Sequence, residues 1–550
     1  MISRNRQRWT VRDVALDQLA AVPERPFVSV LGGAPETFGA FVGNSAKLAN
    51  ALTACEMCIR DRCGVGRGHS VAILCPTGLP HLHAWLACAL LGATEVPINP
   101  VLRGGALEHV LRTAKPAVAV VNAGLLPNLL EAEREVGCLA YVILVGEGDR
   151  LDLAARKIGL SLYDDVLRTG SAAIPDAQVS TADIGSVMFT SGTTGPAKGA
   201  MMPNGQLCLL ALQAMEAMRI GPDDVFYCAH PLNHIAGKYM GIFATFAAGG
   251  RVVLDGRFEA ANWLDRVRGC AATVSIAHGP MIEMIAAQPR RPDDGHHALR
   301  RLMCCPMPKH LAADFEARFA LRGVEMWGMT EVACPAWTSL DGRRVEGSCG
   351  RPLRDYYDLR IVDPETDEEL PPDAVGEIVV RPRFPFTTMQ GYLGMPGETV
   401  GSWRNLWFHT GDAAYLDAED NLFFVDRLKD RIRRRAENIS AYDIEVAATA
   451  YPAVREAAAV GVPSGFEGDD DIKLCVVSDE EVEPASLIAF LAGRLPPFMV
   501  PRYVEVLQAL PRTPTNKIRK RELSSAGVTP ATWDRSKDNI RLRDLYSTPQ

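Results

Sequence analysis

Apolar and polar segments alternate along the first 350 residues in a pattern that predicts strands separated by helices. Short apolar runs typical of buried strands occur at 71–74, 95–98, 117–121, 141–145, 186–189, 225–228, 251–254 and 273–276. Helical stretches lie between them, the most apolar over 81–91. Because strands that alternate with helices favour parallel sheets covered by helices, we expect an α/β fold.

The pattern changes near Gly347, where shorter strands separated by turn residues begin. Strands predicted at 359–362 and 376–380 indicate a small β-rich subdomain over 347–428. Further strands at 457–460 and 473–477, with helices from 443 and over 485–494, predict a small α+β unit. We therefore expect an N-terminal domain over 1–428 and a C-terminal domain over 429–550.

The segment 190–199, TSGTTGPAKG, directly follows a predicted strand and holds four hydroxyl side chains, three glycines and a lysine. Such a loop can wrap an oligophosphate, because glycines let backbone N–H groups approach the oxygens and the lysine adds positive charge. It is not a Walker A loop, since Ala197 precedes the lysine and Gly199 follows it. The candidate phosphate-binding residues are Thr190, Ser191, Gly192, Thr193, Thr194, Gly195 and Lys198.

Four more motifs follow this loop: WGMTE at 327–331, WFHTGD at 407–412, DRLKD at 426–430 and PTNKI at 514–518. In this order the five motifs resemble the ANL superfamily of adenylate-forming enzymes, in its acyl-CoA synthetase branch, and the chain is similar to carnitine-type and medium- or long-chain acyl-CoA ligases. The resemblance implies that a carboxylic acid attacks the α-phosphorus of ATP to give acyl-AMP and pyrophosphate, and that coenzyme A then accepts the acyl group. ATP, Mg²⁺ and coenzyme A are the implied cofactors.

The resemblance also implies roles for the residues that contact phosphate and metal. Lys198 would contact the β- and γ-phosphates, and Thr330 would lie near the α-phosphate. Glu331, with Thr194, would hold Mg²⁺, which prefers oxygen ligands and bridges phosphates. Lys517 would bridge the substrate carboxylate and the α-phosphate in the transition state, where negative charge concentrates.

The adenosine part of ATP is assigned by the same resemblance. Asp412 would accept both ribose hydroxyls, and Arg427 would reinforce the ribose or a phosphate. Trp327 would stack on adenine, where the family usually has tyrosine. The other residues predicted to line the nucleotide site are Cys304, Cys305, Pro306, Met326, Gly328 and Met329.

The second half-reaction depends on rotation of the C-terminal domain about Lys429, as in similar enzymes. A loop containing Arg435, Ala436 and Glu437 would then face the pantetheine of coenzyme A. Ala436 stands where similar acyl-CoA synthetases have glycine, and a β-carbon hinders a position that needs positive φ or close passage of pantetheine. Two outcomes stay open: normal transfer to coenzyme A, or weak transfer with the acyl group passed to an acyl-carrier protein or a partner ligase.

A non-catalytic nucleotide- or acyl-binding regulator is an alternative of another class. The presence together of the residues that would act on ATP speaks against it: Lys198, Glu331, Asp412, Arg427 and Lys517.

For the acid, His234 should form a wall of the acyl tunnel near the reacting carboxylate. The other candidates are Asn233, Lys238, His278, Gly279 and Met303. Lys238 lies in an apolar helical segment over 235–248, so either its side chain reaches solvent or it faces a polar or anionic group of the acid. A lysine facing the acid would disfavour a quaternary-ammonium substrate.

Bulk properties fit a cytoplasmic enzyme that is a monomer or a homodimer. The net charge of −8, without a long basic run, gives nucleic acid little to bind. The sequence contains no run of eighteen apolar residues, so we expect no integral membrane segment. The N-terminus also lacks the apolar core of a signal peptide. The fourteen cysteines are scattered, as expected of reduced thiols. Only Cys55, Cys58 and Cys63 have metal-like spacing, and no fourth ligand lies nearby, which disfavours zinc.

Residues 56–63 interrupt a smooth passage from helix to strand. The string EMCIRDR within them resembles the translated end of a common sequencing adapter, and removing 56–63 restores the continuous sequence LTACGVGRG. We therefore hypothesise that this segment is an assembly artefact.

Overall fold

A computed structural model describes residues 2, 5–54, 64–147, 153, 157–190, 197–342, 344–428, 432–434, 437–439, 441–464, 470–495, 497–513, 518–538 and 540. Its strands are β1 (Pro26–Val30), β2 (Glu36–Thr37), β3 (Ser70–Leu74), β4 (Thr94–Pro97), β5 (Val118–Asn122), β6 (Tyr141–Val145), β7 (Gly159–Leu162), β8 (Ile184–Thr190), β9 (Lys198–Pro203), β10 (Val225–Cys228), β11 (Arg251–Leu254), β12 (Val274–Ala277), β13 (Arg301–Cys304), β14 (Arg322–Met329), β15 (Ala333–Trp337), β16 (Arg351–Pro352), β17 (Tyr357–Val362), β18 (Gly376–Pro382), β19 (Trp403–Arg404), β20 (Trp407–Leu416), β21 (Leu422–Arg427), β22 (Ile432–Arg434), β23 (Glu437–Ile439), β24 (Val454–Pro463), β25 (Asp470–Ser478), β26 (Tyr503–Leu507) and β27 (Trp533–Asp534).

The described α-helices cover the sheets and join their strands. They are α1 (Val11–Ala21), α2 (Phe38–Ala54), α3 (Leu79–Leu91), α4 (Gly104–Ala114), α5 (Leu126–Arg134), α6 (Tyr163–Thr169), α7 (Asn204–Met218), α8 (Ala244–Ala248), α9 (Ala260–Gly269), α10 (Gly279–Ala286), α11 (Ala312–Phe319), α12 (Pro396–Ser402), α13 (Ala441–Thr449), α14 (Pro484–Ala492) and α15 (Lys520–Ser525). A π-helix, Ala236–Phe243, leads directly into α8.

Two large sheets form most of the chain before residue 347. One has the strand order β7-β6-β5-β3-β4-β8-β9, and all neighbours are parallel except β8 and β9. The other has the order β16-β15-β14-β13-β12-β10-β11-β1-β2 and is parallel from β14 to β1. The expectation of parallel sheets joined by helices is confirmed.

The largest cluster of buried side chains lies where α2, α3 and α7 pack with strands of both large sheets. Helix α3 is apolar on nearly every face, since ten of its residues are buried, as expected for a helix enclosed on all sides. Its companion α2 buries one apolar stripe, from Phe38 to Leu52. This core holds the strand ends that carry the motifs of the phosphate loop and of WGMTE.

The later part of the chain is built from antiparallel strands and a small α+β unit. Strands β17, β18, β20, β19 and β21 form an antiparallel sheet, which confirms the β-rich subdomain. Strands β24 to β27 form a four-stranded sheet. One cluster of its buried side chains packs with α13 and α14, and a second includes Leu523 of α15. Within the described ranges, no helix combines the length and the apolar character needed to cross a membrane.

Candidate active site

The carboxyl ends of four neighbouring parallel strands, β10, β12, β13 and β14, share one edge of the nine-stranded sheet. His278 directly follows β12, Cys305 directly follows β13, and Trp327 lies near the end of β14. The His278 Nδ1 lies 3.2 Å from the Cys305 carbonyl oxygen, so neighbouring strand ends are also joined by a hydrogen bond. Open α/β sheets bind ligands beyond the carboxyl ends of their strands, which makes this edge the candidate site.

Trp327 and Asp412, from two separate motifs, meet at this edge. The indole Nε1 donates a hydrogen bond of 3.1 Å to Asp412 Oδ2, and both side chains are buried. Strand pairing places Asp412 on β20 opposite Arg427 on β21. Gly328 is required beside them, because an added Cβ would lie 2.2 Å from the Ala333 carbonyl oxygen. Trp327, Asp412 and Arg427, which are predicted to bind the adenosine part of ATP, therefore lie in one region.

A second group joins the phosphate loop to Glu331. Thr190 and Lys198 face each other across the β8–β9 ladder, where the Thr190 hydroxyl donates to the Lys198 carbonyl oxygen at 3.3 Å. The Lys198 ammonium lies 5.0 Å from the centre of the Tyr392 ring and forms an ion pair with Glu398. The Tyr392 hydroxyl donates to Glu331 Oε1 at 2.9 Å. Tyr392 therefore contacts both the predicted phosphate lysine and the predicted magnesium carboxylate.

Backbone hydrogen bonds fix this second group. The Leu393 N–H donates to the Gly199 carbonyl oxygen at 2.8 Å, and the Met389 N–H donates to the Glu331 carbonyl oxygen at 2.8 Å. The Gln206 side chain on α7 donates to the Thr330 carbonyl oxygen at 2.7 Å. The segment 389–393 thus holds the start of β9 and the Thr330–Glu331 turn in a fixed relation.

On the acid side, the structure brings His234 and His278 together, with ring centres 5.8 Å apart. Both rings are half-buried, as is Asn233. Gly279 begins α10 and approaches Pro306, whose side chain would lie 3.6 Å from an added Cβ. Met303 is fully buried in β13, where it pairs with Ile276 of β12.

Lys238 requires a correction. Its side chain is fully buried in the π-helix, and its ammonium donates to Glu95 Oε2 at 2.7 Å. Glu95 Oε1 also accepts hydrogen bonds from the Tyr239 hydroxyl at 2.6 Å and the Ser186 hydroxyl at 3.0 Å. The expectation that Lys238 reaches solvent is wrong, because a buried carboxylate on β4 neutralises it inside the core. The same pairing directs its ammonium to Glu95 and not to the acid.

Comparisons with known proteins show the family of the chain. The profile of the AMP-binding enzyme family matches residues 17–393, more than half of the chain. The chain belongs to the AMP-binding enzyme family. The profile of the AMP-binding enzyme C-terminal domain matches residues 443–517.

Individual relatives of this AMP-binding enzyme are CoA ligases. It is 33% identical to a feruloyl-CoA synthase from Amycolatopsis sp over 90% of this chain and 94% of that protein. It is 29% identical to a crotonobetaine/carnitine–CoA ligase from Salmonella typhimurium over 84% of this chain and 89% of that protein. The crystal structure of ATP-bound MatB from Rhodopseudomonas palustris matches with a TM-score of 0.83 and 25% identity, covering 97% of this chain and all of that one.

These matches confirm the resemblance to the acyl-CoA synthetase branch of the adenylate-forming enzymes. The AMP-binding enzyme is an AMP-forming acid:CoA ligase, which activates a carboxylic acid as its acyl adenylate and then transfers the acyl group to coenzyme A. ATP, Mg²⁺ and coenzyme A are its cofactors.

Glu331 fits the magnesium ion of this AMP-binding enzyme. Its carboxylate is buried and is oriented by the Tyr392 hydroxyl, and carboxylate oxygens are the hard ligands that Mg²⁺ prefers. Among the described residues no group of three or more metal-ligating side chains occurs. A nucleotide-bound Mg²⁺ takes one or two protein carboxylates and completes its shell with phosphate and water oxygens.

Several predictions for the AMP-binding enzyme lie outside the described residues. They concern the loop residues Ser191, Gly192, Thr193, Thr194 and Gly195, the hinge Lys429, the pantetheine-loop residues Arg435 and Ala436, the adenylation residue Lys517, the cysteines Cys55, Cys58 and Cys63, and the segment 56–63. The side chains of Arg427 and Glu437 are likewise not described, although their backbones lie in β21 and β23.

Glu95, Tyr392 and Glu398 were not predicted from the sequence. Glu95 had a signal: it is an acidic residue at the start of the apolar run 95–98, just as Lys238 is a lone cation in an apolar helix. When two apolar segments each contain a single charged residue and the two charges are opposite, the residues are expected to form an ion pair, because a buried charge needs a partner. Tyr392 and Glu398 belong to no recognised motif, and only the contact of the segment 389–393 with β9 reveals them.

Proposed function

We propose that this enzyme activates an arylpropenoic acid of the feruloyl type, which carries no charge besides its reacting carboxylate. The similarity to a feruloyl-CoA synthase over 90% of the chain supports this class. The observation that carries the proposal is the buried ion pair between Glu95 and Lys238.

The ion pair bears on the acid because Lys238 lies one helical turn after His234, in the helix behind the predicted acid site. A dicarboxylic acid would need a cation for its second carboxylate, and a quaternary-ammonium acid would need an anion or an aromatic cage. Glu95 and Lys238 neutralise each other, with the exposed fraction of both side chains at 0%. Neither charge is offered to a substrate, and an uncharged acyl group fits best.

The chemistry of the first step follows from charge. The acid and ATP are both anions, so the enzyme must neutralise the phosphates and hold the carboxylate in line with the α-phosphorus. Lys198 lies beside the phosphate loop and would exchange its ion pair with Glu398 for the phosphates. We propose that the C-terminal domain, hinged at Lys429, brings Lys517 to the carboxylate and α-phosphate for this step and withdraws it for transfer to coenzyme A.

The experiment measures acid-dependent pyrophosphate release with ferulic, cinnamic, carnitine and malonic acids, with acyl-CoA formation followed in the same samples. We expect kcat/KM for ferulic or cinnamic acid to exceed that for the two charged acids by at least about tenfold, because a buried uncharged site leaves a second charge unpaired. A preference for carnitine or malonic acid would overturn the assigned acid class.

Ala436 favours a second candidate. If its β-carbon obstructs pantetheine, the enzyme forms acyl-AMP faster than acyl-CoA and passes the acyl group to an acyl-carrier protein or a partner ligase. Comparing the rates of pyrophosphate release and acyl-CoA formation separates the two candidates. Equal rates exclude the second.

A further inference from the structure

His230 lies at the same sheet edge as the predicted acid-site histidines. It follows β10, whose neighbour in the sheet is β12, and His278 follows β12. The rings of His230 and His278 meet edge to face, with centres 4.4 Å apart. His278 in turn contacts His234, so His230 is the innermost of three histidines that begin at the predicted acid tunnel.

The surroundings of His230 hold it firmly. His230 is 1% exposed, and the Thr77 hydroxyl donates a hydrogen bond of 3.5 Å to its carbonyl oxygen. The π-helix approaches it at Gly237, where an added Cβ would lie only 2.8 Å from the His230 Cβ. A π-helical turn is a feature often found at functional sites, and here it lets glycine pack directly against the histidine.

Despite this burial, neither Nδ1 nor Nε2 of His230 has a hydrogen-bond partner in the part of the chain that the structure describes. Each nitrogen that loses water without gaining a partner costs its full desolvation free energy, which an apolar side chain of similar size would avoid. A histidine at this position is therefore understandable if a bound molecule supplies the missing partner.

The protonation state of His230 defines which partner fits. Burial, together with the nearby His278 and His234, holds the pKa of His230 well below its usual range. The ring is neutral near pH 7, with one nitrogen that donates and one that accepts. Such a ring pairs with a hydroxyl group and gives an anion no charge to bind.

We propose that His230 is a specificity-determining residue that hydrogen-bonds a hydroxyl group on the acyl part of the acid. This inference rests on the proposed function, because it takes the three histidines as the wall of the acid site. Selection for the hydroxyl follows from the unpaired nitrogen: an acid without the hydroxyl fills the site but leaves the buried ring unsatisfied.

The test compares two matched pairs of acids that differ by one hydroxyl: 4-hydroxycinnamic with cinnamic acid, and 6-hydroxyhexanoic with hexanoic acid. For each acid, kcat/KM of pyrophosphate release is measured for the natural chain, His230→Leu, His230→Gln and the control His310→Leu, whose histidine is exposed. Urea unfolding of the same variants reports whether each one folds.

We expect the natural chain to prefer the hydroxylated member of at least one pair by about tenfold or more. His230→Leu should reduce that preference at least tenfold, because kcat/KM falls more for the hydroxylated acid than for its partner, and it should unfold at no lower urea concentration. His230→Gln, which keeps a donor and an acceptor, should restore part of the preference, and His310→Leu should change nothing.

Two results overturn the proposal while leaving the proposed function intact: an unchanged preference in His230→Leu, or an equal fall for both members of a pair. If the enzyme releases pyrophosphate with the aliphatic acids but with neither cinnamic acid, the proposed acid class is wrong. The aliphatic pair alone then decides the role of His230. If the natural chain releases pyrophosphate with no acid of either pair, the proposed acid class and the His230 proposal fall together.

Discussion

Removal of residues 56–63 should leave a folded and slightly more stable enzyme, because both ends of the segment already meet. Helix α2 ends at Ala54, and the Val65 N–H donates to the Leu52 carbonyl oxygen at 3.0 Å. Gly64 has φ +81°, and an added Cβ would lie 2.1 Å from the Thr53 carbonyl oxygen. Residues that flank the segment are thus in direct contact across it.

These contacts match a helix ending that the shortened chain would complete. Without 56–63, Gly64 would be the second residue after Ala54, and Val65 the fifth after Leu52. A glycine of positive φ at that position, followed by a residue whose N–H bonds to the carbonyl five residues back, is the Schellman motif. Leu52 and Val65 are both buried in the same apolar cluster, as expected for the apolar pair that usually accompanies this motif.

The magnitude follows from loop closure. Val65 lies 13 positions after Leu52 and would lie 5 positions after it in the shortened chain. Because closure entropy scales as (3/2)RT ln n, the deletion should raise the free energy of unfolding by about 0.8 kcal/mol. Urea unfolding of both chains measures this difference, and pyrophosphate release confirms that the shortened enzyme is active.

A matched pair of glycine substitutions tests the helix ending itself. In the shortened chain, Gly64→Ala should cost more stability than Gly68→Ala, since both glycines have positive φ but no atom lies within 4 Å of a Cβ added at Gly68. A shortened chain that loses its activity, or more than about 1 kcal/mol of stability, would show that 56–63 contributes to the native fold.

Four further outcomes are expected. Lys517→Ala should lower pyrophosphate release by about 10²–10³-fold, as the loss of a transition-state charge contact does, and a full rate would contradict the adenylation role. Ala436→Gly should raise acyl-CoA formation relative to pyrophosphate release, whereas an unchanged ratio would show that alanine fits. Lys238→Met should cost about 3–5 kcal/mol in urea unfolding by leaving Glu95 uncompensated, and Lys238→Met with Glu95→Gln should cost less; a single-variant loss under about 1 kcal/mol would argue against the ion pair. Burial raises the pKa of Glu325 from 4.5 to about 7, so the folded state binds more protons than the unfolded state between those values, and stability should fall as pH rises through them. Glu325→Gln should remove that fall, about 2 kcal/mol between pH 5 and pH 8, and an unchanged slope in urea unfolding would assign it to other groups.

Much of the fold was predictable because hydrophobic periodicity reports local burial. The strands at 225–228 and 251–254 were placed residue for residue, and those at 71–74 and 376–380 extend by only one or two residues. The motif residues of the site were predictable for a different reason. Each motif is a short segment with an unusual composition. The phosphate loop and WGMTE lie at the ends of β8 and β14 in the large sheets, whereas WFHTGD lies on the antiparallel strand β20.

The contacts that complete the site depend on long-range packing, which no local pattern reports. Tyr392 joins Lys198 to Glu331 only because the segment 389–393 binds β9, nearly 200 residues earlier in the chain. Likewise, no local pattern predicts that the His230 ring is buried without a hydrogen-bond partner among the described residues, because the π-helix and His278, which enclose it, come from other segments of the chain.

The Glu95–Lys238 pair shows how a single local feature can have opposite meanings for function. A lysine in an apolar helix behind the acid site predicts either an exposed side chain or a binding group for an anionic acid. Glu95, 143 positions away, removes both roles, because a buried carboxylate within hydrogen-bond distance neutralises the ammonium. The pair also bonds to Ser186 on β8, the strand that leads into the phosphate loop. Its retention in the core is therefore better explained by fixing the acid-side helix relative to that strand than by contact with the substrate.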